Sequence, residues 1–210
     1  GLVGSEMCIR DRLGCKLGLR RGRVKEIVEA AITAIGSTED FGSDEHAWKV
    51  LVEAVKLDPA EVWKAMTSLI EMRDRKSYRI VLESQRYALV SQVPANIIMD
   101  WIGSDTRRSI IVADMCSAHE KPLNEIARGL IAKFGADSPA ARVLASRAHS
   151  TPSAVSSIAE FAKSQLQNAR SWAEDSNPQV AQWGKERVVE FQASYEAESA
   201  REEFEEREFE

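Results

Sequence analysis

The segment Cys116-Ser-Ala-His119 is where this chain comes nearest to a reactive centre. Three residues apart on a helix, the thiol and the imidazole share one face and can touch. A base beside a thiol can activate it as a nucleophile. The surroundings favour a plainer role. Cys116 follows Met115 in an apolar segment, and a cysteine so placed is commonly a small buried hydrophobe. His119 falls near the expected end of its helix, where the exposed carbonyls favour a cation. The structural reading is therefore adopted. A small enzyme or cofactor-binding helical protein built on Cys116 and His119 is the alternative.

Other reactive patterns fail on spacing. Zinc asks for about four ligands at a recurrent spacing, and this one Cys-x-x-His has no second pair. The run Gly14-Cys-Lys-Leu-Gly18 lacks the spacing of a phosphate-binding loop. There is no Gly-x-Ser-x-Gly elbow and no Glu-x-x-His pair. Asp114 and His119 are five apart and point to different faces. No catalytic residue, metal ligand or cofactor is assigned. Arg107 and Arg108 open a helix, where cations are disfavoured. Either Asp100 or Asp105 holds them, or solvent does, or they face a partner. They are the interaction candidates.

The elements that carry these residues are helices, and their grammar is plainest in Trp172-Ala-Glu-Asp-Ser-Asn-Pro-Gln-Val-Ala-Gln-Trp183. One helix ends near Asp175. Asn177 can accept from the free N–H groups of the next turn. Pro178 suits the first helical position, where its missing N–H costs nothing. Val180, Trp183, Val188 and Phe191 then form an apolar face. The same corner recurs at Asp58-Pro59, Asp105 and Asp137-Ser-Pro139, with Trp101, Phe134 and Trp172 ahead of the last three corners. Spacing predicts helices over 23–35, stopped by Gly36, then from Ser43 to Leu57 and from Pro59 through Ile70. Further helices run from Pro94 to Trp101, from Asp105 to about His119, from Pro122 to Phe134, from Pro139, from Val155 to Trp172, and from Pro178 to Tyr195. Residues 73–92 read as a helix, with short strands at Ile80-Val-Leu82 and Tyr87-Ala-Leu-Val90 as the other option. No Asn-Gly or Asp-Gly hairpin occurs. The fold class is all-α: stacked antiparallel helix pairs, as a solenoid or an irregular bundle.

The net charge of −5 divides unevenly: +5 over residues 1–25, −6 over 196–210 and −4 between. The body is not basic enough to argue for nucleic acid. No apolar run approaches the roughly 20 residues that span a bilayer. Three scattered cysteines make no disulfide framework and fit a reducing, cytoplasmic compartment. Residues 1–22 hold five of the eleven glycines and no helical period, and are set aside as a leader. Their first part, Gly1-Leu-Val-Gly-Ser-Glu-Met-Cys-Ile-Arg-Asp-Arg12, resembles translated read-through of a sequencing adapter. That resemblance implies that Arg10 and Arg12 are not native residues, and nucleic-acid binding through the basic front end is a third option. Residues 196–210 carry eight Glu that repel one another at helical spacing, which predicts a frayed helix or disorder. The domain proper is 23–195.

The corners at 58, 105, 137 and 177 stand 47, 32 and 40 residues apart, the periods of two-helix repeats. The segments Asp-Ser-Pro-Ala-Ala-Arg-Val and Asn-Pro-Gln-Val-Ala-Gln-Trp resemble the second-helix entry of HEAT and armadillo-like repeats. In those repeats Asp/Asn-Pro starts the helix lining the inner face of a superhelix. The resemblance implies a non-catalytic protein-interaction or scaffold module, the C-terminal part of a larger protein, with a protein partner and no membrane. The residues Trp101, Asp105, Asp137, Pro139, Trp172, Asn177, Pro178 and Trp183 become structural corners.

Overall fold

A computed structural model gives the fold and describes residues 24–37, 44–71, 89–116, 124–149 and 157–208. The fold is all-α, as the periodicity predicts: the regular elements among the described residues are nine helices. They are α1 (Val24–Ser37), α2 (Asp44–Val55), α3 (Pro59–Glu71), α4 (Ala95–Ile102), α5 (Thr106–Met115), α6 (Glu125–Phe134), α7 (Pro139–Ala148), α8 (Ile158–Ala173) and α9 (Pro178–Glu208). The leader 1–22 and most of the ambiguous segment 73–92 lie outside the described residues. Two compact units divide the chain, one through Val93 and one from Pro94, where the sequence suggests one repeat-like domain over 23–195.

In the first unit, α1, α2 and α3 each pack on the other two. Val24, Val28 and Ala31 recur on one face of α1 and are buried, as the three- and four-residue spacing requires. Trp48 and Leu51 of α2 and Val62 and Met66 of α3 complete the core. Asp58 Oδ1 accepts the Glu61 N–H at 3.0 Å, so this corner is capped as expected. Helix α1 runs one residue past Gly36.

In the second unit, contacts run both to the next helix and to one further along the chain. Helix α4 meets α5 and α6, α5 meets α6 and α7, and α6 meets α7 and α9. Helices α8 and α9 form a long antiparallel hairpin, with Trp172 near Trp183 at the turn and Ser157 near Glu202 at the far end.

Three element ends depart from the sequence pattern. Helix α5 stops at Met115, and Cys116 has extended backbone (φ −95°, ψ 146°). Helix α6 begins at Glu125, capped by Asn124 Oδ1 on the Ile126 N–H at 2.9 Å. The expected start at Pro122 lies outside the described residues. Helix α9 continues to Glu208, through acid-rich residues expected to fray. Glu202 supplies a reason: its carboxylate accepts from the Ser157 hydroxyl and the Ala159 N–H at the start of α8.

No helix among the described residues is long and apolar enough to cross a membrane. Trp48, Trp63, Trp172 and Trp183 are buried and Trp101 half-buried, so the tryptophans are mostly core.

Candidate functional site

Among the described residues the second unit shows three corners, each built from local polar chemistry. Between α4 and α5, Gly103 takes φ +53°, a conformation costly for any side chain, and its N–H reaches the Met99 carbonyl. Asp105 then caps α5, one carboxylate oxygen accepting the Arg107 N–H at 2.8 Å and the Arg108 N–H at 3.1 Å. The Arg108 bond first, and the Arg107 bond with it, hold this carboxyl below the usual range.

Arg108 is explained by the corner itself. Its Nη1 donates to the Trp101 carbonyl at 2.6 Å, its guanidinium lies 4.9 Å from the Trp101 ring centroid, and Nε is 3.7 Å from Asp105. One side chain thus satisfies an orphan carbonyl at the end of α4 and covers the aromatic ring beside it. Arg107 is exposed, with its backbone N–H tied to Asp105 and its side chain turned away from the core.

The second corner, between α6 and α7, closes at Gly135 (φ +96°), whose N–H reaches the Ile131 carbonyl. Pro139 is the first residue of α7, as expected, but the cap is Ser138 rather than Asp137. The Ser138 hydroxyl accepts the Ala141 N–H at 3.1 Å. The reason is positional: a proline at the first helical residue makes its immediate predecessor the cap. Asp137 contributes only its carbonyl, which accepts from Arg142 Nη1 at 2.6 Å.

The third corner, between α8 and α9, has Asn177 Oδ1 accepting from Gln179 and Val180 N–H at 3.0 and 3.3 Å, with Pro178 first in the helix. Trp172 and Trp183 pack with ring centroids 5.2 Å apart.

The second and third corners are tied to each other. Arg128 of α6 donates Nε and Nη2 to the two oxygens of Asp175, both at 2.8 Å. Asp175 Oδ1 also accepts the Asn177 N–H at 2.8 Å. The Arg128 bonds first, then that N–H, lower the Asp175 carboxyl below its ordinary value, and the Arg128 guanidinium is held still more firmly charged. Gln179 Oε1 accepts the Ala136 N–H at 3.0 Å. The Trp183 indole N–H donates to the Ala141 carbonyl at 3.2 Å. Further out, Arg147 of α7 pairs with Asp114 of α5, and His149 lies 2.8 Å from Glu190 and 4.6 Å from the Phe191 ring.

The reactive pair of the alternative reading is not assembled in the described part. Cys116 is buried at 3% exposure and sits past the end of α5, so the helical register that would carry Cys116 and His119 on one face stops before Cys116. His119 lies outside the described residues. Among the described residues no three His, Cys, Asp or Glu side chains group as metal ligands would. The residues that sequence reasoning missed are Arg128, Asp175 as an acceptor, Gln179, Glu202 and the Arg147–Asp114 pair. Asp175 was visible as the end of a helix but carried no mark of its distant partner.

No known protein family, curated protein or solved structure matches the chain.

Proposed function

We propose that this chain is a non-catalytic protein-interaction module built from HEAT-like helix pairs. One observation carries the reading: the polar groups that converge in the second unit converge on one another, at helix corners. Arg128 and Asp175, Gln179 and Ala136, and Trp183 and Ala141 lock the α6–α7 corner to the α8–α9 corner. Such ties hold neighbouring helix pairs in a fixed register, which is what a helical-repeat surface needs in order to present a constant shape to a partner. The pairing of α4 with α6 and of α5 with α7, each two helices further on, also fits the neighbour pattern of stacked helix pairs. The proposed partner is a protein, and the proposed setting is the cytoplasm.

The test is a stoichiometric, saturable complex with a partner protein, measured by light scattering and calorimetry on the full chain. That complex is expected to be unaffected by Cys116→Ser. Turnover of a small-molecule substrate that Cys116→Ser abolishes would overturn the reading.

A further inference from the structure

The outer face of α9 carries the most exposed large apolar side chains among the described residues of the second unit. Val189 is 70% exposed and Phe204 62% exposed. Between them lie Ala193, Ala197 and Ala200, also exposed. The steps of four, four, three and four residues put all five side chains on one helical face. The opposite face of the same helix holds Trp183, Arg187 and Phe191, which are buried. The outer strip runs about 22 Å at 1.5 Å per residue, or roughly four turns. Its alanines would let another helix approach closely.

The charge beside the strip selects what can cover it. Glu196 and Glu203 are exposed along one margin, with Lys185 one turn before Val189, and on the other margin Glu190 is paired with Arg187 and His149. The two arginines of this stretch are already engaged within α9, Arg201 with Glu198 and Glu205, and Arg207 with Glu203. Residues 196–210 sum to −6. A second copy is a poor match. Antiparallel pairing of Val189 on Phe204 would centre near Ala197 and bring the two Glu196 carboxylates together, and parallel pairing would set the two acidic ends side by side. Like charges so placed oppose association.

We propose that the Val189–Phe204 face of α9 docks a basic amphipathic helix of a partner protein. The apolar side chains of that helix, at i, i+4 and i+7 spacing, seat on Val189, the alanines and Phe204. Its lysines or arginines face Glu196 and Glu203. The proposal rests on the interaction-module reading and names its surface and partner chemistry.

The test uses the full chain and a fluorescent synthetic helix of roughly four turns, leucine on one face and lysine elsewhere, beside a scrambled peptide of the same composition. The faced peptide is expected to bind at least about tenfold more tightly than the scramble, and to weaken with added salt. The double variant Val189→Asp, Phe204→Asp is expected to lose at least about tenfold in affinity for the faced peptide. Both sites are exposed, so the fold is retained, as circular dichroism would check. The added charge is negative, so it attracts lysine, and a loss therefore reports the apolar contact. Ala197→Lys, which adds bulk and positive charge at the centre, is expected to weaken binding independently. Equal binding of the scramble, or unchanged binding by both variants, overturns the proposal. So does a dimer of the unmodified chain that the double variant dissociates. If the double variant still forms a stoichiometric complex with a protein partner, the module reading stands and only this surface is withdrawn.

Discussion

Arg128 and Asp175, 47 residues apart in the chain, meet through two parallel N–H···O bonds of 2.8 Å that join α6 to the turn between α8 and α9. A planar guanidinium matched to a carboxylate fixes orientation as well as distance. The same carboxylate turns the chain into α9 by accepting the Asn177 N–H. One side chain therefore shapes a corner and attaches it to its neighbour.

Removing Asp175 is expected to cost more than removing Arg128. The Arg128 side chain is 42% exposed and that of Asp175 18%, so solvent screens the pair and leaves about 1 kcal/mol for Arg128→Ala. Asp175→Ala also strips the Asn177 N–H of its acceptor and is expected to cost about 1–2 kcal/mol. Urea midpoints of the two single variants and the double variant check this. Strictly additive costs would show that the pair is not coupled.

The acid limb of stability follows from the same carboxylate. Asp175, Asp105 and Glu202 are all held below their ordinary values in the folded chain. The unfolded chain then binds more protons near pH 4, so stability rises with pH in that window. The contribution is complete at neutral pH and is lost as pH falls through the lowered folded values. Asp175→Asn is expected to flatten this limb while leaving the alkaline side unchanged. An unaltered acid limb in Asp175→Asn would remove Asp175 from the account.

Two helical glycines are expected to respond in opposite ways to alanine. At Gly184 a Cβ would lie 2.3 Å from the Ala173 nitrogen and 2.5 Å from the Trp172 carbonyl carbon, both backbone. Helices α8 and α9 would have to separate at the turn, and Gly184→Ala is expected to cost about 3 kcal/mol. At Gly129 the nearest atom is the Met99 sulfur, at 3.3 Å, on a flexible side chain. Gly129→Ala gains up to about 1 kcal/mol of helix propensity and is expected to be neutral or stabilising. Thermal unfolding of the two variants decides the contrast.

What was legible in the sequence was local. Asp58, Asp105 and Asn177 act within three residues of themselves, so their capping shows in a short window. The shift from Asp137 to Ser138 was also available in principle, because Pro139 at the first helical position names its predecessor as the cap. The long-range ties were not legible. Arg128–Asp175, Ala136–Gln179, Ser157–Glu202 and Asp114–Arg147 span 33 to 47 residues, and nothing local distinguishes Glu202 from the glutamates around it. Repulsion among those glutamates argued for fraying. The packing of α9 along α8, which gives one of them two donors, leaves no mark in a local window of sequence.

That carboxylate leads to a prediction about the far end of the hairpin. The Ser157 hydroxyl accepts the Glu160 N–H at 3.0 Å, and Glu202 takes the Ala159 N–H at 3.2 Å together with the Ser157 hydroxyl at 2.9 Å. The first turn of α8 thus has two of its orphan donors satisfied, one by its own cap and one by α9. Glu202→Ala is expected to speed amide exchange at Ala159 and to shorten the ordered part of α9. The Glu160 amide, still held by Ser157, is expected to respond less. Amides near Trp172 and Trp183, at the other end of the hairpin, are expected to keep their protection. Glu202→Gln retains a carbonyl acceptor and is expected to fall between the wild type and Glu202→Ala. Hydrogen exchange followed residue by residue separates these outcomes. Uniform loss of protection along α8 would mean that Glu202 acts on the whole hairpin rather than on its end.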